Sequence, residues 1–165
     1  MLFRSVLYAN ISTGNYNENT SRVYTDLSLF TADKNITKET DNLFSFLESN
    51  YKMSHYKNSL VAPMQMRRKF VKLIETETAN AKAGKPAFIN LKLNNLADRE
   101  MVQRLREAAM SGVKINMLVR STCTLLPEDD ELKNNITIRS IVDRYLEHSR
   151  IMIFHNNGKI GRAHV

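Results

Sequence analysis

"PAFINLKLNNLADREMVQRLREAAMSGVKINMLVRS", residues 86–121, reads as strand, helix and strand. Residues 87–93 and 115–119 are apolar runs of strand length, and "DREMVQRLREAAMSG" between them carries its apolar residues at helical spacing before a glycine ends it. Upstream, "NSLVAP" (58–63) reads as a short strand stopped by Pro63. A helix over about 64–83 follows, with Phe70, Leu73, Ile74 and Glu77 on one stripe and Gly84 after it. Downstream, "TCTLLPEDDELKNN" (122–135) is long and acidic and reads as a surface loop. It leads to "ITIRSIV" (136–142), a short helical turn at "DRYLEHS" (143–149) and the strand "RIMIF" (150–154).

The β-α-β-α-β order predicts an α/β fold with a mixed, largely parallel sheet flanked by helices. Residues 87–93, 115–119 and 151–154 are expected as neighbouring strands of one sheet. Ligands in such folds bind at the carboxyl ends of the strands. Those ends carry Asn94 and Asn95 after one strand and Arg120 after the next.

Residues 1–57 have a different texture. "FRSVLYANIS" (3–12) and "RVYTDLSLFT" (22–31) read as strands around the turn-rich "TGNYNENTS". Ile36, Leu43, Phe44 and Leu47 place an apolar stripe on a helix over "ITKETDNLFSFLES", and residues 51–57 read as a linker to the second unit.

The chain has 165 residues, 42% hydrophobic and 25% charged, which suits one domain or two small or partial ones. Its formal charge of +7 makes polyanions plausible partners, but the basic residues are scattered and form no nucleic-acid-binding tail. A single cysteine, Cys123, excludes an internal disulfide, and four scattered histidines argue against a structural zinc site. No signal-peptide pattern or membrane-length apolar run occurs, so a cytoplasmic location is expected.

Five residues stand out for chemistry. In "STGNYNENT" the amides of Asn15 and Asn17 suit a phosphate oxygen or a neighbouring imidazole, and equally suit a polar turn. Tyr24 shares a face with Asp26 by strand alternation and reads locally as a core tyrosine. Arg120 closes an apolar strand, where its planar fork can meet a phosphate or simply be solvated. His148, in His148-Ser149-Arg150 ahead of an apolar strand, can hand over a proton, act as a nucleophile, or be structural. With Asp143, Arg144 and Arg150 it interrupts two apolar runs, 138–142 and 151–154.

The strings "TGNYNENTSRVYTDLSLFTAD", "GKPAFINLKLNNLAD", "GVKINMLVR" and "IRSIVDRYLEHSRIMIFHNNG" together resemble, in order and at matching spacing, the type 1 polyphosphate kinases. The resemblance implies two incomplete phospholipase-D-like domains: the C-terminal part of the first over 1–57, and the N-terminal and central part of the second over 58–159. It also implies reversible transfer of the terminal phosphate of ATP to inorganic polyphosphate through a phosphohistidine, with Mg2+. Tyr24 of "VYTD", Arg120 of "LVR" and His148 of "LEHSR" match positions that contact the nucleotide or its phosphates. Asn15 is a weaker support, and His148 is the one catalytic candidate. Asp143, Arg144, His148 and Arg150 would then line a phosphate-handling edge.

Departures accompany the match. Ser12 stands where the family has glycine, and Ser121 stands where it usually has another. The family's phosphorylated histidine lies in a "HAK" motif upstream of the matching region, and its magnesium ligands lie further upstream. Neither is expected here, so the isolated chain is expected to be inactive and to hold no metal. Residues 160–165, "IGRAHV", read as a non-native tail, the translation of a sequencing adapter. ATP or ADP and polyphosphate are the implied partners, with no nucleic acid. Peripheral membrane association and homo-oligomerisation belong to the parent protein. Two other classes compete: a non-catalytic module binding polyanions or nucleotide phosphates, favoured by the charge, and a phospholipase-D-like phosphodiesterase, which needs paired His-x-Lys motifs where this chain has one His-x-Arg.

Overall fold

The computed structural model describes residues 5–50, 55–63, 65–127, 130–159 and 161–164. Its centre is a five-stranded sheet. We label the strands β4 (Phe88–Leu93), β5 (Lys114–Val119), β6 (Ile136–Arg139), β8 (Ile151–Phe154) and β9 (Gly161–His164). The remaining elements are β1 (Ala9–Ser12), α1 (Glu18–Ser21), β2 (Tyr24–Thr25), β3 (Ser28–Thr31), α2 (Lys34–Glu48), α3 (Met66–Lys82), α4 (Arg99–Met110), α5 (Asp130–Asn135) and β7 (Leu146–Glu147).

The large sheet runs β6-β5-β4-β8-β9. β4, β5 and β6 are parallel, while β8 runs antiparallel to β4, pairing Ile89 with Phe154 and Lys92 with Ile151. The three expected neighbours therefore do share one sheet. Residues 161–164 add an antiparallel strand to β8, while Ile160 and Val165 lie outside the described residues.

One face of this sheet meets helices. Ile89 and Leu91 of β4 and Ile115, Met117 and Val119 of β5 are buried, each alternating with a less buried neighbour. They form one core with Leu73 and Ile74 of α3, Leu105, Ala108 and Ala109 of α4, and Phe154 of β8. Period-two alternation sends Asn90, Lys92, Asn116 and Leu118 to the opposite face, which the described helices leave open. Helices α3 and α4 end where their glycines require: Gly84 at φ 67° and Gly112 at φ 95° take the left-handed conformation. The next residues, Lys85 and Val113, donate back to the carbonyls of Asn80 and Ala108.

Several sequence expectations change. The acidic segment 122–135 is not wholly a surface loop, because Leu125 and Leu132 are buried at 1% and 0% exposure and α5 occupies its second half. "NSLVAP" forms no strand. The backbone N–H groups of Asn58 and Ser59, with that of Lys57 just before them, instead donate to the buried carboxylate of Glu39 on α2, a partner that replaces a ladder. Of the expected linker, Tyr56 is buried, and residues 51–54 lie outside the described residues. The expected strand at 22–31 divides into β2 and β3 around Asp26, while β1 begins only at Ala9. The stripe on α2 is partly open to solvent, with Phe44 and Leu47 exposed.

"DRYLEHS" contains no helical turn. Leu146 and Glu147 extend instead as β7 and pair in parallel with Tyr24 and Thr25 of β2. The edge of β2 offers Val23 and Thr25 carbonyls to this segment, and satisfying those groups outweighs local helix formation. The apolar run before it is not buried, since Ile141 and Val142 are both exposed.

Candidate functional site

β4 and β5 both finish at one edge of the large sheet, and antiparallel β8 starts there. That topology places Arg120, just after β5, beside the segment that precedes β8. The guanidinium Nη1 of Arg120 donates to the carbonyl of Glu147 at 3.2 Å. Arg120 thus meets the main chain of the residue just before His148, across the gap between β5 and the segment leading to β8. The neighbouring Asn94 and Asn95 divide the work of closing this edge. The Asn95 amide oxygen accepts from Thr122 N, the Asn94 carbonyl accepts from Ser121 N, and the Asn94 side-chain oxygen is buried with no partner among the described residues.

The first unit supplies the other wall. His148 N and Ser149 N both donate to the Thr25 carbonyl at 3.2 Å, so β2 fixes the main chain of this segment. The imidazole then turns towards β2. His148 Nδ1 lies 2.9 Å from Asp26 Oδ1, and the Tyr24 ring centroid lies 4.9 Å from that of His148. Tyr24 is half-buried against the imidazole and is absent from the hydrophobic core, so the reading as a core tyrosine falls away.

Asp26 is itself held in place. Thr13 Oγ1 donates to Asp26 Oδ1 at 2.9 Å, and Thr13 is 7% exposed. Gly14 lies so close that a Cβ there would stand 2.6 Å from Asp26 Oδ2 and 2.9 Å from Asp26 Cβ. The glycine of "STGN" is thus required by close approach to the carboxylate rather than by a special φ. A carboxylate at Nδ1 sets that nitrogen as the protonated one, which leaves Nε2 as the acceptor of the neutral ring.

Behind the histidine sits a second polar layer. Lys92 Nζ, from the open face of β4, donates to Glu147 Oε2 at 2.5 Å and to Ser149 Oγ at 2.6 Å. The Lys92 ammonium, with Thr25 adding to it, holds the Glu147 carboxyl below the usual carboxylate range.

The other sequence candidates lie apart from this cluster. Asn15 is exposed, and its carbonyl accepts from Asn17 N, while the Asn17 side chain caps α1 by accepting from Asn19 N and Thr20 N. The Asn17 amide oxygen is therefore engaged by the turn. Asp143 and Arg144 are exposed; Asp143 Oδ1 accepts from Arg144 N, and the Arg144 guanidinium lies 5.4 Å from the Tyr145 ring centroid. Arg150 is half-buried ahead of β8. Among the described residues no group of three or more His, Cys, Asp or Glu side chains is placed to hold a metal ion.

Sequence reasoning passed over Asp26, Thr13, Lys92 and Glu147. Asp26 carried a signal in its alternation with Tyr24. Lys92 carried one as the single cation inside the apolar run of β4. Thr13 carried none, since its role depends on a contact across thirteen residues.

Two family models match the chain in order: polyphosphate kinase C-terminal domain 1 over residues 4–53, and polyphosphate kinase C-terminal domain 2 over residues 59–161. The polyphosphate kinase of Vibrio parahaemolyticus is 48% identical over 153 residues, covering 93% of this chain and 22% of the relative. That of Klebsiella pneumoniae is 50% identical with the same coverage. That of Dictyostelium discoideum is 47% identical over 152 residues, covering 92% of this chain and 14% of its own length. The crystal structure of the Porphyromonas gingivalis polyphosphate kinase superposes with a TM-score of 0.86 at 39% identity, over 94% of this chain and 26% of that one. The chain spans about a fifth of the length of the bacterial relatives it matches.

Proposed function

Because this chain belongs to the polyphosphate kinase family, we propose that it forms the nucleotide- and phosphate-handling part of an enzyme transferring the terminal phosphate of ATP, reversibly, to inorganic polyphosphate. The observation that carries the reading is a His148 that meets both Asp26 and the Tyr24 ring, with Arg120 anchored on the carbonyl of the residue before it.

Each residue has a chemical part. The Asp26 carboxylate keeps the proton of His148 on Nδ1, so Nε2 faces the reacting group as a base, or as a donor once protonated. Arg120 spends one N–H on the Glu147 carbonyl, and the rest of its fork would meet charge on the transferring phosphoryl group. The Tyr24 ring offers an apolar wall beside the imidazole for the nucleotide. Asn15, on the exposed turn beside Gly14, is a secondary contact.

The phosphohistidine of the reaction is assigned to a "HAK" motif of the longer protein, since the 165 residues contain no such sequence. Magnesium would neutralise phosphate charge from ligands outside this chain. The isolated chain should accordingly make no polyphosphate.

The test is a chimaera in which residues 5–159 replace the matching segment of a full-length relative. Polyphosphate synthesis from ATP is expected. Arg120→Ala should lose about 2 to 4 kcal/mol of transition-state stabilisation, with Arg120→Lys restoring part of it. Wild-type turnover in Arg120→Ala would refute the role.

A further inference from the structure

We propose that Lys92 and Glu147 are positioning residues that hold His148 in register with Asp26, a role that rests on the reading of His148 given above. The side chains of Glu147, the last residue of β7, and of Ser149 reach one ammonium, while the His148 imidazole between them reaches Asp26. Lys92 grips both flanking side chains at once, through Glu147 Oε2 and Ser149 Oγ. The grip comes from β4, paired on both sides in the middle of the large sheet.

Three restraints thus meet on one residue. The Lys92 staple fixes the side chains on either side of His148. The Thr25 carbonyl takes its backbone N–H, and Arg120 takes the carbonyl just before it. Ser149 is 6% exposed and the Lys92 and Glu147 side chains are 20% and 26% exposed, so this ion pair is sheltered from much of the screening that weakens surface pairs. Without the ammonium, Glu147 would be a half-buried carboxylate facing a serine, and the easiest relief is for the segment to move towards water. Such a shift displaces the imidazole from Asp26, although neither Lys92 nor Glu147 touches either group.

The experiment reads the His148 imidazole directly in the full 165-residue chain, by long-range proton–nitrogen correlation. The wild type should show one neutral tautomer, protonated on Nδ1. In Lys92→Met and in Glu147→Gln the ring should become a mixture of tautomers, and Lys92→Arg should restore most of the single form. A chain with Lys92→Met that stays folded and keeps the wild-type tautomer overturns the proposal. If Lys92→Met does not fold, Ser149→Ala and Lys92→Arg are judged by the same signal. In the chimaera, Lys92→Met should lower kcat by about tenfold to a hundredfold with KM for ATP little changed, and an unchanged kcat would count against it. The tautomer readout needs no catalysis, so failure of the kinase reading leaves it standing and failure of the staple leaves the kinase reading standing.

Discussion

His148 and Asp26 are 122 positions apart in the chain and 2.9 Å apart in space. The contact joins the segment matched by one family model to the segment matched by the other, so the candidate site belongs to neither alone. The parallel pairing of the two-residue strands β2 and β7 brings the two segments side by side just before these residues.

Asp26→Asn keeps the shape of the side chain but removes its charge. An amide can present its NH2 group to Nδ1 and select the opposite tautomer, leaving Nε2 protonated. In the chimaera this should reduce kcat by about a hundredfold or more. The fold should be retained, as judged by an unchanged circular dichroism spectrum. Full activity in Asp26→Asn would mean that the pair only packs.

Gly14→Ala should disturb the same pair from the other side. The new methyl group would stand 2.6 Å from Asp26 Oδ2, and relieving such overlap typically costs about 1 to 3 kcal/mol. Urea unfolding of the full chain should show that loss. Double substitution with Asp26→Ala should show non-additive energies, because the methyl group then meets only the Cβ of residue 26 and no carboxylate. Additive energies would place the strain elsewhere.

Glu39 makes stability depend on acid. Burial works against its charge, but N–H donation from Asn58, with Lys57 and Ser59, holds its carboxyl below the ordinary range. A folded pKa below the unfolded one gives a contribution complete above the unfolded value of about 4.3. The contribution is lost as pH falls through the lower, folded value. Urea midpoints measured from pH 7 downwards should fall in that window, and Glu39→Gln should flatten the fall. An equally steep acid limb in Glu39→Gln would assign the effect to other carboxylates.

The core prediction is simpler. Ile89 is fully buried in the central strand, and Ile89→Ala should destabilise the chain by about 2 to 5 kcal/mol. Asn116→Ala, on the open face of the neighbouring strand, should cost far less. Equal losses in urea unfolding would mean that the open face is covered.

The large sheet was legible from residues 86–121 because its strands alternate or run apolar over six residues, and its helices carry long stripes. β7 was not legible. Two residues are too few to show a period, and their extended form is imposed by a partner strand more than a hundred residues away. The buried part of the acidic loop was hidden for a related reason, since Leu132 is a lone apolar residue among charges and Leu125, beside Leu126 and Pro127, lies in a run too short to show a period. Arg120 and His148 were visible as residue types at strand ends and in the resembling strings. Asp26 and Lys92 gained meaning only when the fold brought their partners to them.

The central claim, that His148 handles the transferring phosphoryl group, is tested most directly by the rate of polyphosphate synthesis from γ-labelled ATP in the chimaera carrying His148→Ala. The account predicts a fall of about a hundredfold or more with an unchanged unfolding midpoint. A protein that folds and turns over at the wild-type rate would contradict it.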